Sequence, residues 1–143
     1  LGEGGAIGVF PGGTVSTAPK PFGQPMDPFW RSFTAKMVSK SDACVVPVFF
    51  EGSNSRLFQL ASHLHNTLRV ALLINEFRAR VDEPVRVVVG EPISRDRLEP
   101  YLSDPRAMMD FLRAETYKLS PTPLSSIEYG YEFEKRFRNR SVG

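Results

Sequence analysis

The apolar residues of this chain follow two spacings. Three short runs are nearly continuous or β-branched and read as strands: Ala6, Ile7, Val9 and Phe10; Ala43 to Phe50; and Val85 to Val89. The first is expected to be a short buried strand ended by Pro11, which fixes φ and lacks an N–H. The second suits a strand buried on both faces, as in a parallel sheet. Pro47 inside it cannot donate to a ladder, so the strand lies at an edge or is bulged there. The third is closed by Gly90 and Pro92.

Elsewhere the spacing is helical. Asp27 and Pro28 are expected at the N-cap and first position of a helix with Trp30, Phe33, Thr34, Met37 and Val38 on its inner face. Ser55 to Val81 predicts a helix broken near Asn66-Thr67, with Ser53 or Asn54 as its cap. Leu57, Ala61, Leu64, Leu68 and Leu72 form one stripe of it, and Val70, Ile74, Phe77 and Val81 a second. Apolar residues on two faces call for burial, a partner or lipid, and burial is the commonest reason. Ser94 to Leu102 and Pro105 to Lys118 predict two short helices, the second capped by Ser103 or Asp104 and packed through Met108, Met109, Phe111 and Leu112. The alternation of strands and helices predicts an α/β fold, the C-terminal part of a mixed or mostly parallel sheet flanked by helices.

Prolines and glycines mark the connections. Thr17 to Pro28 is an irregular loop, unusually apolar through Phe22 and Met26. It is either pinned to the core by its aromatics or a lid whose Trp30 and Phe29 meet a membrane edge beside Lys20 and Arg31. Residues 1–118 form the main portion. Residues 119–143 are a tail, expected to be poorly ordered or docked through Tyr129, Tyr131 and Phe133.

Composition narrows the classes of function. A chain of 143 residues, 41% of them hydrophobic, supports one modest domain. A net charge of +2 with the basic residues scattered among acidic ones gives no nucleic-acid footprint. No apolar run reaches the roughly 20 residues of a spanning helix. Cys44 has no partner for a disulfide and is expected to be a small buried side chain, in keeping with a reducing compartment. The chain opens without Met, almost directly on its first strand, and is therefore expected to be the C-terminal part of a longer protein.

The candidate chemistry centres on GAIGVFPGGTVS, Gly5 to Ser16. Gly12 and Gly13 permit positive φ and leave the backbone open to a ligand, and Thr14 and Ser16 set hydroxyls beside the bare amides. A Walker loop fails because Thr14 stands where lysine is required, and a dinucleotide fingerprint from Gly2 fails at Ile7. Glu51 and Arg56 follow the second strand, where open α/β sheets place ligands; each is either a substrate contact or a turn residue. His63 and His65 lie on different helix faces without a third ligand nearby in sequence. Arg69, Arg78, Arg80 and Arg86 read most simply as solvated ends and faces, with attraction to anionic lipid as the lesser alternative.

The stretch VFPGGTVS resembles the third signature block of the glycerolipid and lysophospholipid acyltransferases, Phe-Pro-Glu-Gly-Thr-x-Ser, through Phe10, Pro11, Gly13, Thr14 and Ser16. ACVVPVFFEG, Ala43 to Gly52, resembles their fourth block, with Pro47 as its proline. Gly12 replaces the glutamate and Val15 the basic residue, and both changes, with the continuation from Phe50 to Phe77, resemble the hemolysin-like and ornithine-lipid acyltransferase branch. The resemblance covers Gly5 to Ile93 and implies a glycerolipid acyltransferase-like fold. It also implies transfer of a fatty acyl group from acyl-CoA or acyl carrier protein to a lysolipid hydroxyl, with no further cofactor. Phe10, Pro11, Gly12, Gly13, Thr14 and Ser16, with Pro47, Glu51 and Arg56, become substrate-binding candidates, Gly12 favouring an acceptor other than glycerol phosphate. The implied location is cytoplasmic, with peripheral contact at the inner face of the plasma membrane. The family's catalytic His-x-x-x-x-Asp is absent from these residues: His63 is followed five positions on by Leu68, and His65 by Val70. The chain alone is thus expected to be inactive. The rival reading is a non-catalytic lipid- or anion-binding or scaffolding module.

Overall fold

The computed structural model describes residues 4–52, 55–64, 66–124 and 127–134. In chain order these form α1 (Phe33–Ser39), β1 (Val48–Phe50), α2 (Arg56–Leu64), α3 (Asn66–Ala79), β2 (Val87–Val89), α4 (Arg95–Leu98), a 3₁₀ turn (Glu99–Tyr101) and α5 (Pro105–Tyr117). The fold is mixed α/β, but the sheet is small and antiparallel. Among the described residues β1 pairs with β2 alone, Val48 opposite Val89 and Phe50 opposite Val87. Of the expected mixed or mostly parallel sheet, the described residues show this antiparallel pair.

The sheet also differs from the expected doubly buried strand in its side-chain pattern. Val48, Phe50, Val87 and Val89 are exposed, whereas Phe49 turns inward against Tyr117 with ring centroids 5.9 Å apart. This is the period-two alternation of a half-covered antiparallel pair. A bridge between Val45 and Ile93 continues the pairing, but two residues separate Val45 from Val48 while three separate Val89 from Ile93. The extra residue falls at Gly90-Glu91-Pro92, opposite Pro47, and makes a bulge. Cys44 lies just outside this ladder and is exposed, not buried.

The core gathers where α1 meets α5. Ala35 and Val38 of α1, Ile93, Leu98 of α4, and Met108, Met109 and Leu112 of α5 are buried together, with Trp30, Val45, Tyr101 and Phe111 packed around them. Each of the fully buried Val, Ile, Leu and Met side chains contributes roughly 1.5–3 kcal/mol through burial. The carboxylate of Asp104 accepts from the N–H groups of Arg106 and Ala107 at 3.0 Å, and Pro105 takes the first helical position, so α5 starts as its letters require.

Two helix expectations are corrected. α1 begins at Phe33, not at Pro28, because Asp27 is engaged by tertiary partners and caps nothing; Phe33 itself faces solvent. The long helix does break, ending at Leu64 and resuming at Asn66, but its second half is not buried. Val70, Ile74 and Phe77 of α3, with Val81 just beyond it, form a continuous exposed stripe, Phe77 being 72% accessible. Ser55 links the ends of this helical pair: its hydroxyl accepts from the Phe58 N–H at 3.2 Å and its own N–H donates to Glu76 at 3.0 Å. The Ser53 and Asn54 cap candidates, and His65, lie outside the described residues.

The loop from Thr17 to Pro28 closes on itself, Thr17 N–H donating to the Met26 carbonyl at 3.1 Å, while Phe22 at its tip is exposed. Residues 127–134 dock against that closure. The N–H of Gly130 donates to Asp27 at 2.8 Å and that of Tyr131 to Thr17 at 3.0 Å. A Cβ at Gly130 would lie 1.7 Å from the Met26 carbonyl oxygen, inside any permitted contact. Gly130→Ala is expected to cost at least about 3 kcal/mol in urea denaturation, whereas Gly8→Ala, in open space, should stay within about 0.5 kcal/mol.

Candidate functional site

The stretch before the proline-diglycine corner is not a strand. Gly5 to Phe10 is exposed and pairs with no neighbour among the described residues, so its apolar letters have no ladder to join. The corner itself forms: Gly13 N–H donates to Phe10 at 3.3 Å, and Gly13 has φ +66°. Glycine suits that left-handed position because other side chains are strained there. Pro11 accepts from the Arg31 N–H at 2.9 Å, which ties the corner to the segment entering α1.

Asp27 is the hub beneath it. Its carboxylate accepts from the Ser16 hydroxyl and, at 3.0 Å, from Nε1 of Trp30. Its backbone N–H donates to the Tyr117 hydroxyl at 2.9 Å. Gly12 is buried with its open side on this carboxylate; a Cβ at 12 would lie 3.5 Å from Asp27 Cγ. Thr14 is engaged differently: its hydroxyl accepts from the Arg69 guanidinium at 3.1 Å. Arg69, read from the sequence as solvated, is half-buried, and the Phe133 ring lies 3.7 Å from its guanidinium carbon. It has no carboxylate partner among the described residues, and burial pushes its pKa below the usual arginine value. Arg31 flanks the other side of Gly13 and pairs with Glu132 at 3.0 Å and Glu134 at 3.6 Å.

The remaining candidates are distributed around this corner. Phe10 stacks obliquely on Phe50 with centroids 5.8 Å apart, so the two signature-like stretches meet at the end of β1. Pro47 is buried, its carbonyl accepting from Gly90 at 2.9 Å. Glu51 pairs with Arg86 at 3.8 Å, a surface contact worth little. Arg56 is exposed at the start of α2 and is not part of the Gly13–Thr14 group. Among the described residues no three His, Cys, Asp or Glu gather as a metal-ligating group, and no helix is long and apolar enough to cross a membrane.

A separate cleft of about 610 Å³ lies between α5 and residues 127–132, lined by Pro19, Asp110, Arg113, Ile127, Tyr129 and Tyr131. Its floor is Arg113, whose guanidinium donates to the carbonyls of Ile127 at 2.8 Å, Asp27 at 3.0 Å and Glu128 at 2.8 Å. Tyr129 donates to Asp110 at 2.6 Å. None of Phe10 to Ser16 lines this cleft. Asp27, Arg31, Arg69 and Arg113 are the residues that reading the sequence missed as site builders. The only local signal was the glycine between Tyr129 and Tyr131, which marks a close backbone approach. No protein-family model, curated protein or solved structure matches the chain.

Burial, and next the Asp27 charge, push the Tyr117 phenol from its ordinary 10.0 up to about 12. Burial and the bond to Asp110 raise Tyr129 in the same direction. The folded phenol holds its proton to higher pH than the unfolded one, so its contribution is complete below pH 10.0 and is lost towards about 12. The thermal midpoint should therefore fall across that window, and Tyr117→Phe should flatten the fall.

Proposed function

We propose that this chain is part of an acyltransferase that moves a fatty acyl group from an acyl thioester to a lysolipid hydroxyl, with the corner at Gly13 and Thr14 receiving the polar head of the acceptor. The observation that carries this reading is the Arg69 guanidinium on the Thr14 hydroxyl, half-buried and without a carboxylate partner among the described residues. Such a cation favours an anionic group beside it. Two further features support it. The stretches that resemble the third and fourth signature blocks touch through Phe10 and Phe50. Gly12, which lacks the signature glutamate, has the Asp27 carboxylate against it, so a carboxylate is present at the corner although the letter is missing.

In the reaction the acceptor hydroxyl attacks the thioester carbonyl and the thiol of the donor leaves. The proton is taken by a histidine of a His-x-x-x-x-Asp pair that these residues do not contain. The part played by this chain is to position the acceptor. The exposed stripe of Val70, Ile74, Phe77 and Val81, with Phe10 and Phe22, suits peripheral contact with a cytoplasmic membrane face. A glycerolipid acyltransferase-like arrangement would place further strands at the free edges of the β1–β2 pair and a helix over its exposed face.

The rival reading, a binding module without catalysis, is favoured by the commitment of the Ser16 hydroxyl to Asp27. The full-length protein separates the two when assayed with acyl-CoA or acyl carrier protein and a lysolipid panel. Acyl transfer is expected, with Arg69→Gln raising KM about tenfold at similar kcat. Lysolipid binding without transfer establishes the module instead.

A further inference from the structure

The geometry points to an oxyanion slot between Arg31 and Arg69 that the segment Tyr131 to Glu134 occupies as an internal substitute for the ligand. This rests on the reading of the Gly13–Thr14 corner as a headgroup site and adds its ligand class and its means of control.

The slot is built from three directions. Its floor is the backbone at Gly13, exposed and with positive φ, next to the Thr14 hydroxyl. One wall is Arg31, whose Nε lies 4.0 Å from a Cβ position at Gly13; the other is Arg69 on Thr14. Two guanidinium groups thus stand at consecutive residues of the corner. Residues 131–134 run between them with alternating sides, as extended backbone requires. Glu132 and Glu134 turn to Arg31, at 3.0 and 3.6 Å. Tyr131 and Phe133 turn the other way and contact each other at 4.8 Å, Tyr131 reaching His63 at 5.2 Å and Phe133 covering Arg69 at 3.7 Å.

The chemistry on the two sides is unequal. Arg31 already has carboxylates, one of them only 2% exposed, whereas Arg69 has an aromatic lid and no anion among the described residues. A phosphate or carboxylate takes the place of Glu132 and Glu134 at Arg31, and release of their end of the segment lifts the Phe133 ring and uncovers Arg69 beside the corner. The anchor of the segment is separate from this exchange: Gly130 and Tyr131 hold it by backbone bonds, and Arg113 holds Ile127 and Glu128. The end at Glu132 to Glu134 can therefore lift while the segment stays attached.

Trp30, the only tryptophan, reports on the site because its indole N–H is bound to Asp27. The 143-residue chain and its Glu132→Gln/Glu134→Gln variant are titrated with inorganic phosphate by tryptophan fluorescence, with circular dichroism to confirm folding. The double variant should bind phosphate about tenfold more tightly, and Arg69→Gln added to it should remove the gain. Should the double variant unfold, Glu134→Gln alone, at a half-exposed carboxylate, must show a smaller gain in the same direction. Equal affinity in the parent and the glutamate variants, with loss on Arg69→Gln, overturns the internal substitute and leaves the corner as an anion site. No phosphate response in any variant, and no flotation with phosphatidylcholine vesicles containing lysophosphatidate, overturns the corner reading as well. Flotation that phosphate competes away assigns the slot to a lipid headgroup; a fluorescence response without flotation assigns it to a free oxyanion.

Discussion

A single guanidinium holds the two ends of the fold together. Arg113 projects from the buried face of α5 and donates to three carbonyls, one at Asp27 and two in the segment from Ile127 to Glu128. Tyr117 and Tyr129 lie on either side of it, each ring centroid 4.9 Å from the guanidinium carbon. Buried carbonyls left without donors are costly, and a planar fork of donors satisfies several at once. The loop before α1, the C-terminal segment and α5 therefore share one point of closure. The hydrophobic core at α1 and α5 supplies the bulk of the stabilisation, but it does not by itself decide where the loop and the last segment lie.

That closure is what gives Asp27 its position, and Asp27 organises the corner. Its carbonyl is held by Arg113 and Gly130, its N–H by Tyr117, and its carboxylate by Ser16 and Trp30. The carboxylate then covers Gly12, and the glycine turn presents Gly13 and Thr14 to Arg31 and Arg69. Electrostatics at the corner is thus set by residues from four separate stretches of chain, with no member of a local motif acting alone.

Features settled by local chemistry were legible in the letters. Asp104-Pro105 starts α5, the helix interruption expected near Asn66-Thr67 is present between α2 and α3, and the valines before Gly90 pair as a strand. Local chemistry misled where a distant partner outbid it. Asp27-Pro28 has the form of a helix start, yet Ser16, Trp30 and Tyr117 claim the aspartate, and α1 begins at Phe33. Ala6 to Phe10 has strand letters but no neighbour to pair with among the described residues, because a strand is a property of two chain segments. The corner glycines were visible from their spacing. Arg69 and Arg113 were not, since arginine on a helix gives no sign in sequence of whether it meets water, a carbonyl or a hydroxyl.

The crossing at Gly130 also bears on how the molecule comes together. Its backbone packs against the Thr17–Met26 closure from the far end of the described chain, and only a residue without a side chain fits. Contacts this distant along the polypeptide form late, after local helices. During synthesis the aspartate hub and the glycine turn must wait for α5 and the segment behind it to leave the ribosome. Until then the nascent corner is an open loop, accessible to chaperones and proteases and unable to hold its arginines in register.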